Sequence, residues 1–296
     1  MSWTRPTNLA RRPVAILGGG FQGRRIAFMW GSQGRPVVVY DKQRAALNAT
    51  AAYYEEQTKQ HTLGRLSTTS SLSETLSKHD PWLIIEAVPE ILSLKRDTFA
   101  TLERDAPRDA ILATNSSSYK SSEIIQGLSC GNRALNIHYF RPPEIVSCEV
   151  MTSGSTQVEV IDTVVEQLRL HGHTPFLARR ESSGFIHNRV WAAIKREALQ
   201  VVAEGVANPE DVDALFRARF KTPQGPFEIM DGVGLDVVLD IENHYAEERP
   251  HLPISPRQLL ERYKAAGRLG IKTGQGFYDW SATRTVSDKP SALAVL

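Results

Sequence analysis

The sequence predicts an α/β fold: an N-terminal doubly wound sheet over residues 1–183, followed by an all-helical C-terminal domain over residues 184–296. Three observations predict it. First, short apolar runs alternate with helical-looking segments, at Val14–Leu17, Val37–Tyr40, Leu83–Ala87, Ala110–Ala113 and Ala134–His138. Buried parallel strands read this way, because crossover helices cover both faces of the sheet. Second, the first run leads into Gly18-x-Gly20-x-x-Gly23 and a helical segment, and the second run ends in Asp41. Third, from Phe185 on the apolar period becomes helical. Phe185, Ile186, Val190, Ile194, Leu199, Val202 and Val206 recur, with Lys195, Arg196 and Glu197 interleaved.

Taken in order, Val14–Leu17 and the glycines after it form the strand–turn–helix start of a dinucleotide-binding unit, so the N-terminal sheet is Rossmann-type. Gly18 permits the tight turn and Gly20 lets the backbone approach a pyrophosphate. Gly23 lets helix and strand pack closely, and the helix N-terminus offers its positive dipole end. Phe21 and Gln22 sit inside the same turn and are expected among the cofactor-binding residues. Asp41 follows at about the 20-residue distance of the acid that accepts from a ribose 2′-hydroxyl. A carboxylate there repels a 2′-phosphate and favours NAD over NADP. Arg24, Arg25 and Lys42 lie nearby and could hold a 2′-phosphate; NAD is the better reading.

Ala45–Ser77 is a long, polar, mostly helix-like excursion between the second and third runs. Ser147–Met151 and His173–Ala178 could add strands at the far end of the sheet. Asn208-Pro209 breaks the first C-terminal helix and Glu210-Asp211 begins another. Gly225-Pro226 and Gly232-x-Gly234 mark further turns.

The chain has 296 residues, enough for about two domains. Its hydrophobic and charged fractions, 41% and 23%, are those of a globular protein. A net charge of +2 gives no reason to propose nucleic acid or a membrane surface as partner. Cys130 and Cys148 make no disulfide framework and lack metal-site spacing, so free thiols in a reducing compartment and no metal are expected. No apolar run reaches the ~20 residues of a membrane span. The arm Met1–Arg12 carries Arg5, Arg11 and Arg12 but no apolar core of a signal peptide. A very short mitochondrial presequence is the alternative to the expected cytosolic location.

Further motifs run the length of the chain. They are Leu83-Ile-Ile-Glu-Ala-Val-Pro-Glu90, Ile111-Leu-Ala-Thr-Asn-Ser-Ser-Ser118, His138-Tyr-Phe and Cys148-Glu149-Val. Gly184-Phe-Ile-His-Asn188-Arg, Ala203-Glu-Gly205, Gly225-Pro226, Gly234-Leu235-Asp236 and Gly267-Arg-Leu-Gly-Ile-Lys-Thr-Gly-Gln-Gly-Phe-Tyr278 follow. In this order they resemble the short, single-chain L-3-hydroxyacyl-CoA dehydrogenase family of fatty acid metabolism. The resemblance implies NAD-dependent interconversion of a 3-hydroxy and a 3-keto group. It also implies a homodimer through the helical domain, for which Val190, Ile194, Leu199 and Val202 would supply apolar surface.

The chemistry can be argued from the residues. Oxidising a secondary alcohol needs a hydride acceptor and a base for the hydroxyl proton. Histidine titrates near neutrality, which suits the base. His138 closes an apolar run at the sheet edge where doubly wound folds place ligands. A carboxylate on its other ring nitrogen would fix the tautomer, and Glu149 matches the family's carboxylate partner. The resemblance places Ser117 and Asn188 at the reacting oxygen, where neutral donors could stabilise oxyanion character. It assigns Glu90 and Lys95 to cofactor contact, with Ala87, Val88 and Asn115 in the motifs that flank the cofactor. On its own, Lys95 reads as a solvated helix charge.

Three departures bear on the substrate. The family's Asn three residues after the histidine is Arg141 here, a cation able to grip a carboxylate. The Ala45–Ser77 excursion is shorter than in typical acyl-CoA members, and the His–Glu spacing is one residue shorter than in the mitochondrial enzymes. A 3-hydroxy acid without CoA, as in gulonate- or carnitine-type members, or a pathway-specific metabolite is therefore the second reading. A structural protein like the lens crystallins that resemble this family is the third, against which His138, Glu149, Ser117 and Asn188 stand intact.

Overall fold

The computed structural model describes residues 3–58 and 63–281. Residues 1–2 of the N-terminal arm, 59–62 within the Ala45–Ser77 excursion, and 282–296 of the segment assigned to the second domain lie outside the described residues. The chain divides into two units, Met1–Ile186 and His187–Leu296.

The first unit begins β1 (Val14–Leu17), α1 (Phe21–Gly31), β2 (Val37–Tyr40), α2 (Arg44–Thr58), β3 (Leu66–Thr69) and α3 (Leu72–Ser77). It continues β4 (Leu83–Glu86), α4 (Leu92–Asp105), β5 (Ile111–Thr114), α5 (Ser121–Ile124), β6 (Ala134–Arg141), β7 (Ile145–Thr152), α6 (Val158–Leu170) and β8 (Thr174–Ala178). The strands form one sheet in the order β3-β2-β1-β4-β5-β6-β7-β8. Neighbours pair in parallel, except that β6 and β7 form an antiparallel hairpin. Strand order reverses between β1 and β4, so their C-terminal ends open the crevice where such sheets take ligands.

β1, β4 and β5 are buried at every position. Alternation sends Val14 and Ile16 into one core layer and Ala15 and Leu17 into the other. The excursion is mostly helical, as expected, but it also carries a strand, β3, between α2 and α3. Leu66-Ser-Thr-Thr has no apolar run; it pairs along β2 at the sheet's edge, where one flank and part of its surface stay wet. β8 ends the sheet on the other side, with Pro175 in the strand and Phe176 and Leu177 exposed.

The second unit contains α7 (His187–Ala203), α8 (Pro209–Phe220), α9 (Pro226–Val233), α10 (Leu235–Glu248) and α11 (Ser255–Ala265). Asn208 caps α8, accepting from the Asp211 N–H at 2.7 Å, and Pro209 occupies the first turn. Buried Asp213 accepts from the Phe227 and Glu228 N–H groups, each at 2.9 Å, and so holds the start of α9. Leu199 is spent in this unit's own core with Phe227, Met230 and Val238, and Val202 packs against it. Val190 is exposed. The apolar surface expected of Leu199 and Val202 for a partner is thus largely used internally. Among the described residues no helix is long and apolar enough to cross a membrane.

Candidate active site

The turn after β1 leaves no room for a side chain at Gly18 or at Gly23. Gly18 has φ +113°, and a Cβ there would stand 2.5 Å from the Ala87 carbonyl oxygen beyond β4. At Gly23 a Cβ would lie 1.8 Å from the Gly18 oxygen, so this glycine sets the approach of α1 to the turn. At Gly20 a Cβ would meet nothing within 4 Å. The backbone there is open to an incoming group, which is what a pyrophosphate needs. Asp41, just past β2, accepts from the Gly19 N–H through Oδ2 and the Gln43 N–H through Oδ1, both at 2.8 Å. Ionised oxygens have room for further donors, so the same carboxylate can still take ribose hydroxyls. The donor set fits NAD.

Beside this cradle lies a network that the sequence showed only in part. Lys95 on α4 is 1% exposed and not a solvated charge. Its ammonium lies 2.8 Å from Glu86 Oε1 and 3.0 Å from Glu90 Oε2. Glu86 at the end of β4 also accepts from the Thr114 hydroxyl at 2.7 Å and the Val88 N–H at 2.8 Å. Burial nevertheless holds its carboxyl above the ordinary range. For Glu90, burial pushes the same way, but Lys95, the Ser116 hydroxyl and the Ser118 N–H outweigh it and leave the group below that range. Ser116 and the Ser118 N–H both donate to Glu90 Oε1, at 2.5 and 3.0 Å. Ser117, between them, is exposed. Glu86 and Thr114 escaped the sequence reading. Their signal was an acid ending an otherwise apolar buried run, which needs a partner.

The hairpin holds the proton chemistry. His138 and Glu149 pair directly across β6 and β7. Nδ1 of His138 is 3.2 Å from Glu149 Oε2, and the residues are 5% and 2% exposed. A carboxylate only accepts, so Nδ1 carries the proton and Nε2 is left as the basic atom. Glu149 Oε1 accepts from the Ile186 N–H at 2.9 Å. The rings of Phe140 and Phe185 stand 5.1 and 5.0 Å from the imidazole, centre to centre. A backbone N–H has no sequence signature, so Ile186 could not be found beforehand.

The register Thr114↔Asn136 brings the end of β5, and the Asn115–Ser118 loop after it, beside β6 just before His138. Asn115 accepts from the Tyr139 N–H through Oδ1 at 3.0 Å. Gln22 turns its amide to the carbonyls of Tyr139 and Phe140. Arg141 ends β6, opposite Ile145. Asn188 lies in the first turn of α7; its Oδ1 is buried without a hydrogen-bond partner among the described residues. Among those residues no group of three or more candidate ligands could hold a metal ion.

Comparison with known proteins gives this geometry its relatives. A 3-hydroxyacyl-CoA dehydrogenase-like protein of Cochliobolus heterostrophus is 46% identical over 167 residues, which cover 55% of this chain but only 35% of that relative. A probable 3-hydroxyacyl-CoA dehydrogenase of Caenorhabditis elegans is 33% identical over 288 residues, covering 91% of this chain and 96% of that relative. Among solved structures, a diketoreductase superposes with a TM-score of 0.76 at 30% identity, over 91% of this chain and 99% of that one. Residues 13–182 match the family described as 3-hydroxyacyl-CoA dehydrogenase, NAD binding domain. Residues 184–280 match its C-terminal domain, and the chain belongs to the 3-hydroxyacyl-CoA dehydrogenase family.

Proposed function

We propose that this chain interconverts the 3-hydroxy and 3-keto forms of an acyl-CoA thioester, with His138 carrying the proton. The family is one of NAD-dependent oxidoreductases acting on a CH–OH group, and NAD is its hydride partner. The His138–Glu149 pair at the C-terminal edge of the sheet carries the reading.

In oxidation, Nε2 of His138 accepts the hydroxyl proton as the carbinol hydrogen leaves with its electron pair. NAD, which the Gly18–Gly23 turn and Asp41 would hold, would supply the hydride acceptor. The imidazolium formed is stabilised by Glu149, whose charge lies against Nδ1. The Ile186 N–H keeps the carboxylate from swinging away. Ser117, exposed on the loop after β5, would donate to the reacting oxygen as it gains carbonyl character. Reduction runs the same steps backwards, with His138 as acid.

A second reading keeps the chemistry and changes the handle: a free 3-hydroxy or 3-keto acid held by Arg141. The likeness to a diketoreductase, described as acting on dicarbonyl compounds, favours it. A panel of 3-ketoacyl-CoA thioesters and free 3-keto acids assayed with NADH decides between the two. Arg141→Asn should leave thioesters unchanged if CoA is the handle. A carboxylate gripped by a guanidinium contributes about 1.5–3 kcal/mol, so loss of a free-acid substrate would raise its KM about ten- to hundredfold.

We also propose a homodimer and a cytosolic location. The exposed Val190, Val206, Leu215 and Phe220 of the helical unit support self-association. Light scattering at the mass of one chain, 32.9 kDa, would remove the dimer. The two free, buried thiols suit a reducing compartment. Fractionation that finds the protein in an organelle would remove the location.

A further inference from the structure

We infer that Gln22 is a positioning residue for His138, through which the glycine turn holds the end of the catalytic strand. This rests on His138 being the proton carrier.

β6 and β7 keep one register from Leu135↔Thr152 to Tyr139↔Cys148, and then it slips between Tyr139 and Arg141. The slip begins one residue after His138. β5 has already ended at Thr114, so β6 runs past its other neighbour too. The backbone at Tyr139 and Phe140 is therefore held by side chains. Nε2 of Gln22 donates to the Tyr139 carbonyl at 3.0 Å and to the Phe140 carbonyl at 3.2 Å. Asn115 takes the Tyr139 N–H.

In a regular strand successive carbonyls point to opposite edges, and one amide could not reach both. The register break turns them to the same side. Two acceptors also fix the orientation of the Gln22 amide, because its oxygen would face two oxygens in the flipped form. Gln22 sits between Gly20 and Gly23 in the turn that receives the dinucleotide. One side chain thus sets the distance between cofactor turn and base. The Gln22 amide nitrogen is engaged on the strand.

The test uses Gln22→Met, which keeps the length and the helix propensity and removes both donors. NADH affinity, kcat and melting temperature are measured, with His138→Ala alongside. Gln22→Met should lower kcat about ten- to hundredfold, the scale of a misplaced catalytic group, with NADH affinity and melting temperature near wild type. Added to His138→Ala it should cost nothing further in kcat, because its effect runs through the imidazole. Gln22→Glu gives a signature no packing role would give. Ionised, its carboxylate faces two carbonyl oxygens and should be slower than Gln22→Met. As pH falls, the protonated carboxyl regains one donor, and its kcat should climb past that of Gln22→Met at the same pH. A normal kcat in Gln22→Met, or weakened NADH binding at full kcat, would overturn the inference while leaving a slow His138→Ala to uphold the mechanism. A fast His138→Ala would instead sink the mechanism itself. If Gln22→Met lowers the melting temperature below the assay, the Gln22→Glu pH response decides alone: a flat ratio counts against us.

Discussion

His138 and Glu149 stand directly opposite each other on adjacent antiparallel strands, with Nδ1 3.2 Å from Oε2. Directly opposed residues on one face of such a pair are close enough for side chains to bond. The pairing needs only a hairpin, whereas every other strand pair in this sheet is parallel.

From this pair we expect His138→Ala to lower kcat about 10²–10⁴-fold, the usual loss for a general acid–base. NADH affinity should hold, because the glycine turn is untouched. Glu149→Gln keeps an oxygen for the Ile186 N–H but loses the charge, so it should fold and turn over slowly. Wild-type kcat in Glu149→Gln would show that the carboxylate does not stabilise the imidazolium.

Two glycines of one turn should fail in different ways. Gly20→Ala should melt like wild type and bind NADH weakly, since the added methyl occupies only the open approach. Gly23→Ala should lose stability, because its methyl would lie 1.8 Å from the Gly18 oxygen. Calorimetry and an NADH titration on both variants check this; equal melting points would contradict it.

Lys95→Met strands the buried Glu86 carboxylate, and breaking such a pair costs about 3–5 kcal/mol. Urea unfolding reads the loss. It should shrink as pH falls, because protonating Glu86 removes the uncompensated charge. It should also shrink in Lys95→Met/Glu86→Gln. A Lys95→Met protein as stable as wild type would mean that Glu86 is already neutral in the fold.

His173 is buried with its Nδ1 on the Val146 carbonyl, and burial lowers its pKa from 6.5 to about 4. A base depressed in the fold binds fewer protons than the unfolded chain across that window. Its contribution is intact above 6.5 and is lost as pH falls toward 4. Each pKa unit is worth about 1.4 kcal/mol, so the loss approaches about 3 kcal/mol. His173→Phe should flatten the fall in melting temperature over this range. An unchanged slope would assign it to the carboxylates.

Much of this was legible in the sequence because buried parallel strands are simple objects. The apolar runs at β1, β2 and β5 mark their strands to within a residue, and the glycines with Asp41 mark the crevice. What was hidden had other causes. β3 is an edge strand whose hydroxyls suit water, so no apolar pattern marks it. Lys95 is buried by partners that lie on β4 and the loop after it, which no helix periodicity could reveal. Gln22 and Ile186 act through the backbone: one donates to main-chain carbonyls and the other is itself a main-chain donor.

The two ends of the sheet also differ in how they refuse company. A terminal strand offers an open row of donors and acceptors, and a second chain can extend it. β3 answers with polar side chains. β8 exposes Phe176 and Leu177, an adhesive pair, yet carries Pro175 beside them. Proline has no N–H to give and is tolerated in a ladder where its nitrogen faces outward. It therefore interrupts the row beside the stickiest side chains. Pro175→Val should keep kcat and raise turbidity on heating; equal turbidity would mean the edge is guarded by something else. The colloidal stability of the enzyme would then rest on a missing hydrogen atom, one strand beyond Glu149.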